Sequence, residues 1–288
     1  MNKKLLAIAC GCGALLLSSC MDTSVVEPDI SAIPPMGITR YDGTIYDYLQ
    51  NGDPLLGVTY DSLLYLLDYT DENSSVPLKF ADLKACLQDE EKQYTFIAAP
   101  DSCFRYALNA LNRFRRLNKL TITDDNISVD APEAEKNAVG DMTLKKLLSY
   151  RKEIERTDGG SAKKSTDIYE YKAPLDSMLC RYMTQGIYDT EMLSHVSSAD
   201  GQIIQGLYFY RMNLMYKRLP ASGYVGGGPK DITFYDMCNT LEMSRWESTK
   251  VLWTDVYATN GVIHVLVPQH EFGFGNFIYY FRNIGHEE

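Results

Sequence analysis

The chain has 288 residues, with 38 acidic against 28 basic side chains and a formal net charge of −10 at neutral pH. An acidic chain repels phosphate groups, which excludes a nucleic-acid role and electrostatic docking on anionic headgroups. Hydrophobic residues make up 45%, enough for one large domain or two small ones.

Lys3 and Lys4 precede an apolar run from Leu5 to Leu17, the pattern of an export signal and too short for a comfortable membrane span. The run ends in Leu17-Ser18-Ser19-Cys20, which resembles the lipobox of bacterial lipoproteins. An ordinary secretory signal cleaved nearby is the alternative. On the lipoprotein reading, residues 1–19 are removed and Cys20 is acylated. Losing two lysines and no acids then moves the charge from −10 to −12. Each buried methylene contributes ~0.8 kcal/mol, so several acyl chains hold the protein at the membrane. Residues 20–40 lack periodicity and read as a lipidated tether with a reach of roughly 25 Å. Asp22 resembles the acidic export signal of surface lipoproteins in the Bacteroidota. The expected location is the cell envelope, lipid-anchored in the outer membrane and exposed at the surface.

Beyond the tether, Tyr41 to Gln50 predicts a short helix with Thr44 as its cap. A second helix is predicted at about 60–69, with Leu63, Leu64, Leu66 and Leu67 on one face, and a third at about 80–88. Tyr94 to Ala98 is a short apolar strand stopped by Pro100, with Asp101 placed to cap the helix that follows. In that helix, about 102–118, Phe104, Leu108, Leu111 and Phe114 share the apolar stripe while Arg105, Arg113, Arg115 and Arg116 take other faces. Two polar stretches, Thr123 to Asn126 and Thr157 to Lys164, flank a helix predicted from Met142 to about Arg156 with Asp141 as its cap. From residue 200 the pattern is β. Strands are expected at Gln202–Gln205, within Leu207–Leu219, at Ile232–Tyr235 and at Val251–Trp253, with a glycine-rich connector at Ser222–Pro229. Asn260-Gly261, a dipeptide able to take positive φ, then feeds a β-branched closing strand at 262–267, ended by Pro268. Phe272 to Phe281 forms an aromatic tail.

Three segments carry a family resemblance: Tyr94 to Phe104, Leu175 to Tyr188, and Asp255 to Leu266. In this order they resemble the signature elements of fasciclin-like domains, except that the family's Tyr-His pair is replaced by Arg181-Tyr182. The resemblance implies an α+β fold, a fasciclin-like β-sandwich or wedge with several packed helices. It spans residues 41–268 as one domain, with an insertion at about 119–174 and the aromatic C-terminal tail at 269–288. It further implies that Asn260, Gly261 and His264 keep the fold, His264 as a hydrogen-bonded structural histidine.

Chemistry is otherwise sparse in the sequence. The Gly226-Gly227-Gly228-Pro229 loop lacks the lysine and helix start of a phosphate cradle. His264 and His270 fall short of the three or four converging groups a zinc ion needs, so neither a metal nor another cofactor is expected. No serine or cysteine lies in a nucleophile elbow. Acidic pairs such as Glu90-Glu91 and Asp124-Asp125 read as solvated loops. Of seven cysteines, Cys86, Cys103, Cys180 and Cys238 would remain after processing. They read as buried free thiols, with one or two disulfides open as the alternative. The expected function is therefore a non-catalytic envelope lipoprotein mediating adhesion or binding of a protein or matrix ligand. The alternative is an accessory glycan-binding lipoprotein of a polysaccharide-uptake system, motivated by 21 tyrosines and the aromatic tail.

Overall fold

Thr44 starts the first helix in the way its sequence predicts. Its hydroxyl accepts from the Asp47 amide while the Asp47 carboxylate accepts from the Thr44 amide at 2.9 Å, a reciprocal capping box. The computed structural model describes residues 37–72, 74, 76–120, 140–157, 164–220 and 228–287. Helix α1 (Ile45–Asn51) is followed by α2 (Asp61–Leu67) and α3 (Phe80–Gln88), each burying an apolar face. Strand β1 (Tyr94–Ala98) then leads into the long α4 (Asp101–Leu117).

Asp101 does not cap α4: it is the first residue of that helix, and Pro100 precedes it without a side-chain cap. Its carboxylate instead accepts from the amides of Asp61 at 3.0 Å and Ser62 at 2.6 Å and from the Thr59 hydroxyl at 2.6 Å. It therefore caps α2, whose own N-cap residue Tyr60 supplies no side-chain bond. Arg115 also departs from its expected outward face. It is 1% exposed and donates to the carbonyls of Arg282 at 2.7 Å and Ile284 at 2.9 Å.

Helix α5 (Leu144–Ser149) is capped by Thr143 rather than Asp141, whose carboxylate pairs with Arg116. The predicted helix to Arg156 stops early, because Arg151–Thr157 is strand β2, paired antiparallel with β3 (Lys164–Glu170). The run Arg151-Lys152-Glu153-Ile154-Glu155-Arg156 has no apolar helical stripe to bury. Its charges meet across the hairpin, Arg151 with Glu170 and Arg156 with Asp167. This segment still contributes Met142, Leu147 and Leu148 to the core. The connections at 121–139 and 158–163 and the glycine-rich connector at 221–227 lie outside the described residues.

Helix α6 (Lys172–Leu179), a 3₁₀ turn at Cys180–Tyr182, β4 (Met183–Gln185) and α7 (Thr190–Ser194) follow. The remaining strands are β5 (Gln202–Gln205), β6 (Arg211–Arg218), β7 (Lys230–Asp236), β8 (Glu247–Ala258) and β9 (Gly261–Leu266). Seven strands form one sheet in the order β4-β1-β9-β8-β7-β6-β5. Every pair is antiparallel except β1 with β9, which run parallel with Tyr94 opposite Gly261. Both strands of that pair are buried along their whole length, as expected of parallel strands covered on both faces. At the sheet's outer strands, Thr184 of β4 bridges Gly206 just past β5, and its hydroxyl donates to the Gln205 carbonyl at 2.7 Å.

Two boundaries differ from those expected. Residues 37–40 belong to the fold: the Ile38 amide donates to Asp53, and Arg40 bridges Tyr257. Nor does the chain from 269 stand apart as a tail. Phe272, Phe274, Phe277, Phe281 and Ile284 are all buried, and the segment ends in helix α8 (Asn276–Phe281). Aromatic side chains this large are drawn inside wherever a core has room for them.

Candidate functional site

Three of the residues singled out by sequence lie at the centre of the sheet. Asn260 is fully buried. Its side-chain oxygen accepts from the Ile45 amide at 2.8 Å, and its amide nitrogen donates to the carbonyls of Leu87 at 2.8 Å and Asp89 at 3.1 Å. One side chain thus closes the start of α1 and the end of α3, while its own carbonyl accepts from Tyr94 of β1. The hairpin turn is made by Thr259 and Asn260, since Ala258 pairs with Gly261, and neither turn residue has positive φ. Gly261 is required twice over: its φ of 157° is one that residues with side chains rarely adopt, and a Cβ there would collide with the Tyr94 carbonyl of the paired strand.

His264 is also fully buried. Its Nε2 lies 2.9 Å from the Tyr188 carbonyl and its Nδ1 accepts from the Asp255 amide at 3.3 Å. Both partners fit the neutral ring protonated on Nε2. Burial holds the imidazole below its usual range. Asp255 sits in a bulged stretch of β8 at φ 59° and binds Lys230 at 2.8 Å and Thr190. Despite burial, the Lys230 and Thr190 bonds hold its carboxyl below the ordinary carboxylate value. These residues tie elements together and present no open surface for a ligand.

An open site lies elsewhere. A cleft of about 430 Å³ runs between the start of β8, the 267–275 segment and Tyr106 of α4. Its wall includes Glu247, Glu271, His270 and Phe274. Three successive left-handed residues, Gly273, Phe274 and Gly275, fold this segment back on itself. They set the Phe274 ring 4.7 Å from the His270 ring. Beneath them Tyr182, fully buried, accepts from the Gly273 amide at 2.9 Å and lies 2.7 Å from His270 Nε2. Among the described residues His270 Nε2 is the one acceptor in reach of the Tyr182 hydroxyl hydrogen, so the hydroxyl donates to it. This assigns the ring proton to Nδ1, which has no hydrogen-bond partner among the described residues. Burial pushes the His270 imidazole down to about 3, so the ring is neutral at physiological pH.

Charge in the cleft is unbalanced. Lys250 is committed to Asp231 at 2.8 Å and to Thr233 at 2.7 Å. Glu247 and Glu271 have no basic partner among the described residues, and one oxygen of Glu271 is buried without any hydrogen bond. Burial, reinforced by the nearby Glu247, raises the Glu271 carboxyl above its ordinary value.

The sequence marks Tyr182 only as part of the Arg181-Tyr182 replacement and His270 only beside His264 as a metal candidate, and nothing in it marks Glu247 or Glu271. A local signal was present in Gly273-Phe274-Gly275, where flanking glycines allow a sharp turn, but its partners lie far away in the chain. Among the described residues, no three His, Cys, Asp or Glu side chains converge to hold a metal ion. Cys86, Cys103, Cys180 and Cys238 are all free, and Cys238 is exposed rather than buried. Burial pushes the Cys103 and Cys180 thiols up to about 12. Cys20 lies outside the described residues.

No family model matches the chain, and no curated protein matches it. Among solved structures it is similar to a FAS1 domain pair from the insect cell adhesion molecule fasciclin I. The identity is 13% and the TM-score 0.38, over 80% of this chain and 50% of that one. The chain thus spans about half the length of that structure.

Proposed function

We propose that this protein is a non-catalytic, lipid-anchored binding module of the cell envelope, built on a fasciclin-like domain and recognising a protein or matrix ligand. The observation that carries the reading is the β1–β9 pair. Its two strands come from two of the three segments whose sequence resembles fasciclin signatures, and they lie side by side in parallel register. Asn260 and His264, the residues implied to keep such a fold, are buried there and satisfied from several elements at once. Cys20 supplies the anchor in this reading, and the outer membrane of a Bacteroidota-like bacterium is its setting. Of the aromatic segment that motivates glycan capture, Phe272, Phe274, Phe277 and Phe281 fill the core, and only the adjacent Tyr279 and Tyr280 stay exposed, so the protein or matrix ligand is the better reading.

The test combines two measurements on the full chain in its native cells. Incorporation of a fatty-acid label should occur in the natural chain and vanish in Cys20→Ala. Surface-restricted crosslinking should then join the anchored chain to a discrete envelope or matrix component. A chain that takes up no lipid, or that crosslinks to nothing while anchored, overturns the proposal.

A further inference from the structure

We infer that the cleft between β8 and the 267–275 segment is a receptor for a basic residue of a partner polypeptide. A cation enters between Glu247 and Glu271, and the neighbouring backbone carbonyl accepts from His270 Nδ1. This deepens the binding-module reading and rests on it.

Two carboxylates share an opening of about 430 Å³, and neither has a basic partner among the described residues. The one lysine in the wall is already bound by Asp231 and Thr233. A buried carboxylate oxygen without a donor is costly, and a like charge beside it adds to the cost. A guanidinium or ammonium group relieves both at once.

The rest of the wall narrows the class further. Tyr106 is 51% exposed and lines the opening together with Phe274, so aromatic faces are available to a cation. His270 is 94% buried, from its 6% exposure. The chain of bonds from the Gly273 amide through Tyr182 makes its Nδ1 a donor. A simple cation or a polyamine has no acceptor to offer that donor, whereas a peptide residue carries a carbonyl beside its cationic side chain. Two acceptors for a cation and one donor for a carbonyl are the complement of an arginyl or lysyl residue in an extended segment. The acidic balance of the chain, −10 overall, favours the approach of such a partner.

The test uses the full chain and an acetylated glycyl-arginyl-glycine amide, titrated calorimetrically against the same peptide with citrulline in place of arginine. Citrulline keeps the shape and removes the charge. The arginine peptide should bind once per chain and the citrulline peptide at least about tenfold more weakly, the loss of one charge-assisted interaction. Glu271→Gln and Glu247→Gln should each weaken binding by a similar factor. Glu191→Gln, an exposed acid outside the cleft, should leave it unchanged. Thermal unfolding separates this from a folding defect: Glu271→Gln removes an unsatisfied buried charge and should melt no lower than the natural chain. A nitrogen-15 spectrum of His270 should show the proton on Nδ1 and a shift of that resonance on adding the arginine peptide.

Equal binding of the two peptides, or affinity unchanged in both glutamine variants, overturns the assignment. So does absence of binding by the natural chain. If that happens while surface crosslinking still captures a partner, the cleft assignment falls and the binding-module reading stands. If crosslinking also fails, both fall.

Discussion

At the scale of single residues, Asn260 shows how much of the fold can depend on one amide. Replacing it with alanine strands the Ile45 amide and the Leu87 carbonyl in a site closed to water. Each buried unsatisfied group costs about 1–3 kcal/mol, so Asn260→Ala should lose roughly 2–6 kcal/mol in urea unfolding. A loss below 1 kcal/mol would show that neither helix end depends on it. The neutral His270 makes a prediction in pH. Its unfolded value near 6.5 exceeds its folded value of about 3, so the unfolded state takes up the proton first. Its contribution is complete above about pH 6.5 and is lost as pH falls from there toward 3, amounting to about 2 kcal/mol by pH 5. Asp176, carried by burial up to about 6, acts in the opposite sense below that pH and offsets part of the loss. The comparison must therefore be with His270→Gln, in which only the histidine slope disappears. The stability gap between the two proteins should shrink by about 2 kcal/mol between pH 8 and pH 5; a gap independent of pH contradicts the assignment.

Elements were legible where local chemistry and tertiary context agree. Helices α1 to α3, strand β1 and strand β5 match their sequence patterns closely, because apolar period, joined in α1 by the Thr44 cap, suffices to define them. Asp101 reads as a local cap because it follows Pro100, yet the start of α2 lies close enough to claim its carboxylate. That bond joins residues 40 positions apart, which no local window contains. The stretch after Ser149 failed for the opposite reason. Its charges permit a helix in isolation, and only pairing with Lys164–Glu170 makes it a strand. The cleft was illegible for both reasons together, since it unites Tyr106, Glu247 and Glu271 from three distant segments. The cap reading is open to test. Asp101→Ala should destabilise by about 1 kcal/mol, the ordinary value of an N-cap. Hydrogen exchange should quicken at Asp61 and Ser62 in α2, with little change at the first turn of α4. Faster exchange confined to α4 would return Asp101 to the role its sequence position indicates.

For the molecule as a whole, the informative question is what the last twenty residues do. If they were an appendage, their removal would leave a stable domain ending after Pro268. The structure gives them a different part. Phe272 stacks on Phe104 at 4.2 Å and on Tyr182 at 5.2 Å, joining α4 to the sheet. Arg115 reaches across from α4 to hold the carbonyls at the end of α8. Glu287 then fastens the end to the β2–β3 hairpin and its flanks through Tyr171 at 2.6 Å, Tyr150 at 2.8 Å and Lys152 at 3.3 Å. Although burial opposes ionisation there, the two tyrosine hydroxyls hold the Glu287 carboxyl below its ordinary value. Five buried apolar side chains at about 1.5–3 kcal/mol each come to roughly 7–15 kcal/mol, as much as the whole stability of a typical domain. A chain ending after Pro268 should therefore show no cooperative thermal transition, whereas Phe281→Ala, losing about 3–5 kcal/mol, should keep one at lower temperature. The two variants separate a graded loss of packing from loss of the fold. A truncated chain that melts cooperatively near the natural temperature would restore the segment to the status of a tail.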